Sequence, residues 1–158
     1  MKSLFAPLRE NPEYKEMQTT LARRAGALAV TGCTDSQKVN VIYALSEGYR
    51  TRLIITYSEA RCREIYEDSL LYDRDAYVFP AKDMIFYEAD VSSNQIERQR
   101  LQVFRRLMTS RPLTVITTWS ALMMPCADPK ILKNGVIRIE NGDSVDLREI
   151  STKLVTIG

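Results

Sequence analysis

Between Ala27 and Ser46 the chain reads Ala27-Leu28-Ala29-Val30-Thr31-Gly32-Cys33-Thr34-Asp35-Ser36-Gln37-Lys38-Val39 and continues in an apolar helical pattern. A short apolar run, a glycine, a small polar loop, a lysine and a helix are the parts of a phosphate-binding strand-loop-helix. In an intact loop a second glycine lets backbone N–H groups close on the phosphates. The lysine reaches the β/γ-phosphates, and the next Ser or Thr holds Mg²⁺. Gly32 and Lys38 stand at the required spacing, with Thr34 and Ser36 between them as further candidate anion contacts. Gln37 occupies the second glycine position, Val39 replaces the metal-binding hydroxyl, and Asp35 adds a negative charge to a loop meant for an anion. The residues therefore predict the frame of a nucleotide-binding domain without its chemistry: an anion site at most, no catalytic residue, no metal and no cofactor.

Composition narrows the remaining chemistry. The 158 residues contain no histidine, so Ser-His and Cys-His catalysis are excluded, and the three cysteines lack metal-ligand spacing or an even count for a disulfide framework. Cys33, at a helix N-terminus without a catalytic partner, reads as an incidental small residue. Lys and Arg number 22 against 20 Asp and Glu, so basic surface must be local. One such stretch is Arg98, Arg100, Arg105, Arg106 and Arg111 on and after a long helix, of which Arg98, Arg105 and Arg106 are candidate contacts for DNA or a protein partner. Trp119 and the pair Phe86-Tyr87 read as core or loop anchors. The polar N-terminus resembles no signal peptide and no apolar run reaches eighteen residues, which predicts a soluble, cytoplasmic protein without a membrane partner.

The elements that must position these residues follow from periodicity. Asn11-Pro12 starts a helix ending near Gly26. Ala27 to Thr31 reads as a first strand, followed by a helix to Gly48 and a second strand at Thr51 to Thr56. Ser58 opens another helix, Ala76 to Phe79 forms a third strand, and 81–93 a surface loop. Ser92-Ser93-Asn94 opens a helix to about Thr109, and Leu113 to Thr118 is a fourth strand. Strands alternating with helices, without hairpin signals, argue for an α/β fold with a mostly parallel sheet flanked by helices. After Pro125 the character changes: Cys126 to Pro129 is a turn or linker, Gly135 to Glu140 a strand, and Asp146 to Ile157 an amphipathic helix. The expected organisation is residues 1–125 as the α/β domain and 126–158 as the beginning of a second small α/β domain.

Taken in order, several segments resemble the N-terminal, UvrB-like region of bacterial transcription-repair coupling factors, the Mfd family. They are Pro7-Leu8, the altered loop Thr31 to Lys38, Ile65-Tyr66-Glu67-Asp68, Phe79-Pro80-Ala81 with Tyr87-Glu88, and Ile96 to Leu101. Val115 to Thr118, Gly142 to Leu147 and Lys153-Leu154-Val155 complete the set. The resemblance implies an incomplete RecA-like helicase lobe that has lost its ATPase and scaffolds recruitment of UvrA in transcription-coupled nucleotide excision repair. UvrA would be held through the second domain, mostly beyond Gly158. RNA polymerase and DNA would be engaged by other parts of a full-length ATP-dependent DNA translocase. The alternative is a fragment of a UvrB-type ATP-dependent repair helicase, against which stand Gln37, Val39 and the lack of an acid pair after a strand.

Overall fold

The computed structural model describes residues 4–23, 26–82, 90–109, 111–126, 128–137 and 139–157. Packing divides the chain into two units, Met1–Leu122 and Met123–Gly158.

The first unit is built on a three-stranded, fully parallel sheet of β1 (Thr51–Thr56), β2 (Ala76–Phe79) and β3 (Leu113–Thr118) in the order β1-β3-β2. Leu53 pairs with Val115 and Ile54 with Ile116, while Tyr77 and Val78 meet the same two residues from the other side. The last strand in sequence is thus the middle one in space, and every residue of β3 is buried, as expected for a parallel strand covered on both faces. Alternation along the strands sends Ile54, Ala76 and Ile116 to one face. There they pack with Val39, Tyr43 and Ala44 of α3 (Asp35–Leu45), Cys62 and Ile65 of α4 (Glu59–Ser69), and Tyr14 of α2 (Pro12–Ala22). Phe79, Leu113 and Val115 point to the other face, against Val103 of α5 (Asp90–Leu107) and Ala121 of α6 (Trp119–Met123). A short helix α1 (Ala6–Glu10) completes the unit.

Local chemistry explains most boundaries. The Asn11 side chain accepts from Glu13 N at 2.8 Å and Ser58 Oγ from Arg61 N at 3.2 Å, capping α2 and α4. Gly48, at φ 99°, turns the chain after α3 in a conformation that a Cβ disfavours. The Tyr14 hydroxyl donates to the Ala44 carbonyl at 3.0 Å, fastening α2 to α3.

Several expectations are corrected. Ala27 to Thr31 is not a strand: it is irregular and mostly exposed. The run offers only one β-branched pair, Val30-Thr31, and pairs with none of the three strands. The long helix starts at Asp90 rather than Ser92, Arg100 is buried rather than on the surface, and Trp119 is 62% exposed rather than an anchor in the core. The Phe86-Tyr87 pair and most of the expected 81–93 loop lie outside the described residues. On β1, Leu53 and Ile55 are 55% and 44% exposed, because α5 lies over β2 and β3, and β1 pairs on one side alone among the described residues.

The second unit contains α7 (Pro129–Asn134) and α8 (Leu147–Ile157). Asp128 accepts from Lys130 N at 2.7 Å and Asp146 from Arg148 N at 2.8 Å, so each helix begins on an aspartate cap. The expected turn at Cys126 to Pro129 runs into helix at Pro129. The expected strand Gly135 to Glu140 has no strand conformation among its described residues, since an isolated strand leaves its N–H and C=O groups unpaired. Leu147, Leu154 and Val155 of α8 are exposed.

Burial also sets thiol reactivity. Cys62 has no exposed surface and its thiol is pushed up to about 11, first by burial and then by the Glu59 carboxylate. At pH 8 we expect Ellman's reagent to modify exposed Cys126 and half-buried Cys33 in the native protein and to reach Cys62 only after unfolding. Because its pKa is raised on folding, Cys62 contributes stability that is full below the ordinary thiol value and is lost as pH rises towards 11. A urea melt at pH 8 and at pH 10.5 should show the native state weaker at the higher pH, and less so in a Cys62→Ala background.

Candidate functional site

The loop before α3 keeps the glycine conformation it needs. Gly32 sits at φ 81°, where a side chain would strain the backbone even though nothing within 4 Å opposes a Cβ. Beyond it, the features that would receive a phosphate are used internally. Gln37 folds back so that its Oε1 accepts from Thr34 N at 3.0 Å, one half of a capping box. It thereby consumes a loop amide that an anion would otherwise engage. Lys38 Nζ donates to Asp35 Oδ1 at 2.8 Å, and Arg61 Nη2 of α4 lies 3.3 Å from the same oxygen. This arginine contact is an ion pair by proximity rather than an aligned hydrogen bond, for Nη2 has no hydrogen-bond partner although Nη1 donates to Glu64 at 2.7 Å.

Asp35 thus stands as a built-in anion at the helix N-terminus, held by two cations. The hydrogen bond from Lys38, then the Arg61 charge and the Lys38 charge, hold its carboxyl below the usual carboxylate range. The group is exposed, so its worth is as charge compensation rather than as stability. Lys38→Gln should raise the midpoint of the Asp35 carboxyl in an NMR pH titration, and Arg61→Gln should raise it by less. Val39, where a metal-binding hydroxyl would stand, has no exposed surface and belongs to the core beneath α3. Ser36 is exposed in the first turn of α3. Among the described residues no group of three or more His, Cys, Asp or Glu is arranged to hold a metal ion.

The candidate arginines separate. Arg98 and Arg105 are exposed on α5. Arg106 is engaged: Nη2 lies 3.0 Å from Asp75, Nε donates to the Tyr77 hydroxyl at 2.8 Å, and the guanidinium sits 5.3 Å from the Tyr77 ring centroid. Arg100 donates to the Pro80 carbonyl at 2.7 Å and lies over the Phe79 ring at 4.0 Å. These two arginines brace α5 against β2.

The whole chain aligns with the transcription-repair-coupling factor of Bacillus subtilis, at 23% identity over 161 residues and 100% coverage of this chain. The chain is Mfd/UvrB-like. UvrABC system protein B of Fervidobacterium nodosum matches 55% of it at 33% identity, and that of Halobacterium salinarum matches 97% at 24%. The Mfd/UvrB-like chain spans 14% of the Bacillus protein and 13% of the Fervidobacterium protein. No protein-family model matches it. No solved structure matches it either. Among the described residues no helix is long and apolar enough to cross a membrane.

Two residues of this Mfd/UvrB-like chain matter to the site without being singled out by the sequence. Arg61 closes on Asp35 from 26 positions away, a contact no local pattern signals. Glu59 gathers the carboxyl ends of two strands: its Oε1 accepts from Thr118 Oγ1 at 3.0 Å and from Ala81 N at 3.3 Å. Thr118 Oγ1 in turn accepts from Ala121 N at 3.2 Å, starting α6. Crevices at strand carboxyl ends are where open α/β sheets bind ligands. Here that position is spanned by a structural carboxylate.

Proposed function

We propose that this chain is a non-catalytic module of an Mfd-type protein in nucleotide excision repair, a RecA-like lobe whose phosphate loop has been turned into a self-neutralised helix start. The observation that carries the proposal is Asp35 held by Lys38 and Arg61 where a phosphate would sit. In this reading the first unit is a scaffold, and the second presents a surface to UvrA, with the exposed Leu147, Leu154 and Val155 of α8 supplying apolar contact area. DNA translocation and contact with RNA polymerase belong to other parts of the full-length protein.

Calorimetric titration of the chain with ATP and Mg²⁺ should give no saturable heat. Micromolar binding would overturn the reading and put a UvrB-type helicase fragment first, the alternative favoured by the 33% identity to UvrABC system protein B. Purified UvrA passed over the immobilised chain should bind weakly, and binding should fall at least tenfold for Leu147→Ser/Leu154→Ser/Val155→Ser. No binding, or equal binding by the variant, would overturn the role of the second unit.

A further inference from the structure

The strand order brings together three arginines that are far apart in sequence. Arg50 immediately precedes β1, Arg74 lies two residues before β2, and Arg111 two residues before β3. Because the strands are parallel and in register, all three fall at the amino-terminal rim of the sheet. Thr51 is level with Leu113, and Ala76 with Thr114, so Arg50 and Arg74 lie level with Pro112 and Arg111 stands one residue further out between them. The rim is fastened by backbone bonds from Leu113 N to Arg50 O at 3.0 Å and from Thr114 N to Asp75 O at 3.1 Å. Adjacent strands lie about 4.8 Å apart, so the row spans roughly 10 Å of backbone.

All three arginines are exposed, and none of their side chains makes an ion pair or hydrogen bond among the described residues. The acids nearby are committed elsewhere. Asp73 accepts from Thr114 Oγ1 at 2.7 Å and lies 3.8 Å from Arg52, and Asp75 is paired with Arg106. The charge of the row is therefore not neutralised by its neighbours. Beside it Tyr49 is 54% exposed, offering a ring face next to Arg50.

We propose that this rim is a docking surface for the phosphodiester backbone of nucleic acid. Three unpaired guanidiniums in a line match a polyanion with regularly repeated charge, and each can fork onto phosphate oxygens. An exposed tyrosine adjoining the row suits contact with a sugar or a base. The contact reads no sequence, since it offers no element to enter a groove. The row shares no residue with the Asp35 loop or with α8, so the inference stands whether or not UvrA binds the second unit.

Fluorescence anisotropy with a labelled 20-nucleotide single strand and a 20-base-pair duplex, each at 50 and 200 mM salt, tests the inference. The expected result is saturable binding at low salt whose logarithm falls with log salt at a slope of about −2 to −3, for roughly three phosphates. Arg50→Gln/Arg74→Gln/Arg111→Gln should weaken binding at least tenfold and flatten the slope, and Lys at the same three positions should retain most of it. A control of equal charge change, Lys15→Gln/Arg23→Gln/Arg63→Gln, should leave binding within about twofold. Equal losses in both triple variants, or no binding by the parent, would overturn the assignment. Displacement by polyglutamate as readily as by unlabelled DNA would overturn it in favour of an acidic protein partner. UvrA capture by the rim variant separates this result from the proposed function, which it should leave unchanged.

Discussion

Gln37→Gly/Val39→Thr, which rewrites the loop towards a complete phosphate-binding sequence, is expected to give a less stable protein with no ATPase activity. Glycine at position 37 removes the side chain that caps Thr34 N and places the poorest non-proline helix former in the first turn of α3, at a cost of about 1–2 kcal/mol. Threonine at position 39 puts a hydroxyl into a core formed with Tyr43, Cys62 and Ile65, where leaving it unpaired costs about 1–3 kcal/mol. The sum is large beside the 5–15 kcal/mol by which domains are typically stable. For a chain of this size it corresponds to a melting temperature lower by about 5–15 °C. Thermal melts and a phosphate-release assay check the two halves. Robust turnover would mean that the chain holds a complete nucleotide site, and an unchanged melt would mean that the core accommodates the hydroxyl at position 39 without cost.

Ile116→Ala is expected to be among the most damaging single truncations of an apolar residue, costing about 2–5 kcal/mol. Ile116 is fully buried at the centre of β3, level with Ile54 and Val78 on its two neighbours, and faces the core shared by α3 and α4. A void there weakens the contact of both flanking strands at once. Ile116→Val should cost only about 0.5–1.5 kcal/mol. Leu53→Ala, one position away on β1 but more than half exposed, should lie within about 0.5 kcal/mol of the parent. Urea midpoints for the three variants provide the measurement, and a Leu53 effect equal to that of Ile116 would show that the bare face of β1 is covered in solution.

Much of the first unit was legible because its signals are local. Asn11-Pro12 marks α2, Ser58 marks α4, and the β-branched runs at Thr51 to Thr56 and Leu113 to Thr118 mark strands. Ala27 to Thr31 reads as a strand by the same rules and is not one, because a strand forms only where the chain delivers it to a partner, and a local apolar run does not say where that is. Gly135 to Glu140 fails for the same reason. In the candidate loop, the departures from a phosphate-binding pattern at Gln37 and Val39 were legible. That Gln37 is a cap, and that Arg61 completes the charge compensation, was not, for both depend on where a side chain turns in space. Arg98, Arg105 and Arg106 look alike along α5 in sequence. Their neighbours distinguish them: Asp75 and Tyr77 claim Arg106, and solvent claims the other two.

The bare edge of β1 bears on how the protein behaves at high concentration. A six-residue strand whose outer amides and carbonyls have no strand partner among the described residues, with Leu53 and Ile55 side by side on one face, is a template on which another extended chain can add. Arg52 is turned inward onto Ser46 and the Tyr43 ring, so the edge carries no outward-facing charge within the strand to repel a second copy. The isolated chain should therefore grow cloudy on concentration or mild heating before its core melts. Placing a lysine at Leu53 should delay clouding while leaving the midpoint of unfolding in place, because the same side chain that contributes little to folding is the one that invites aggregation.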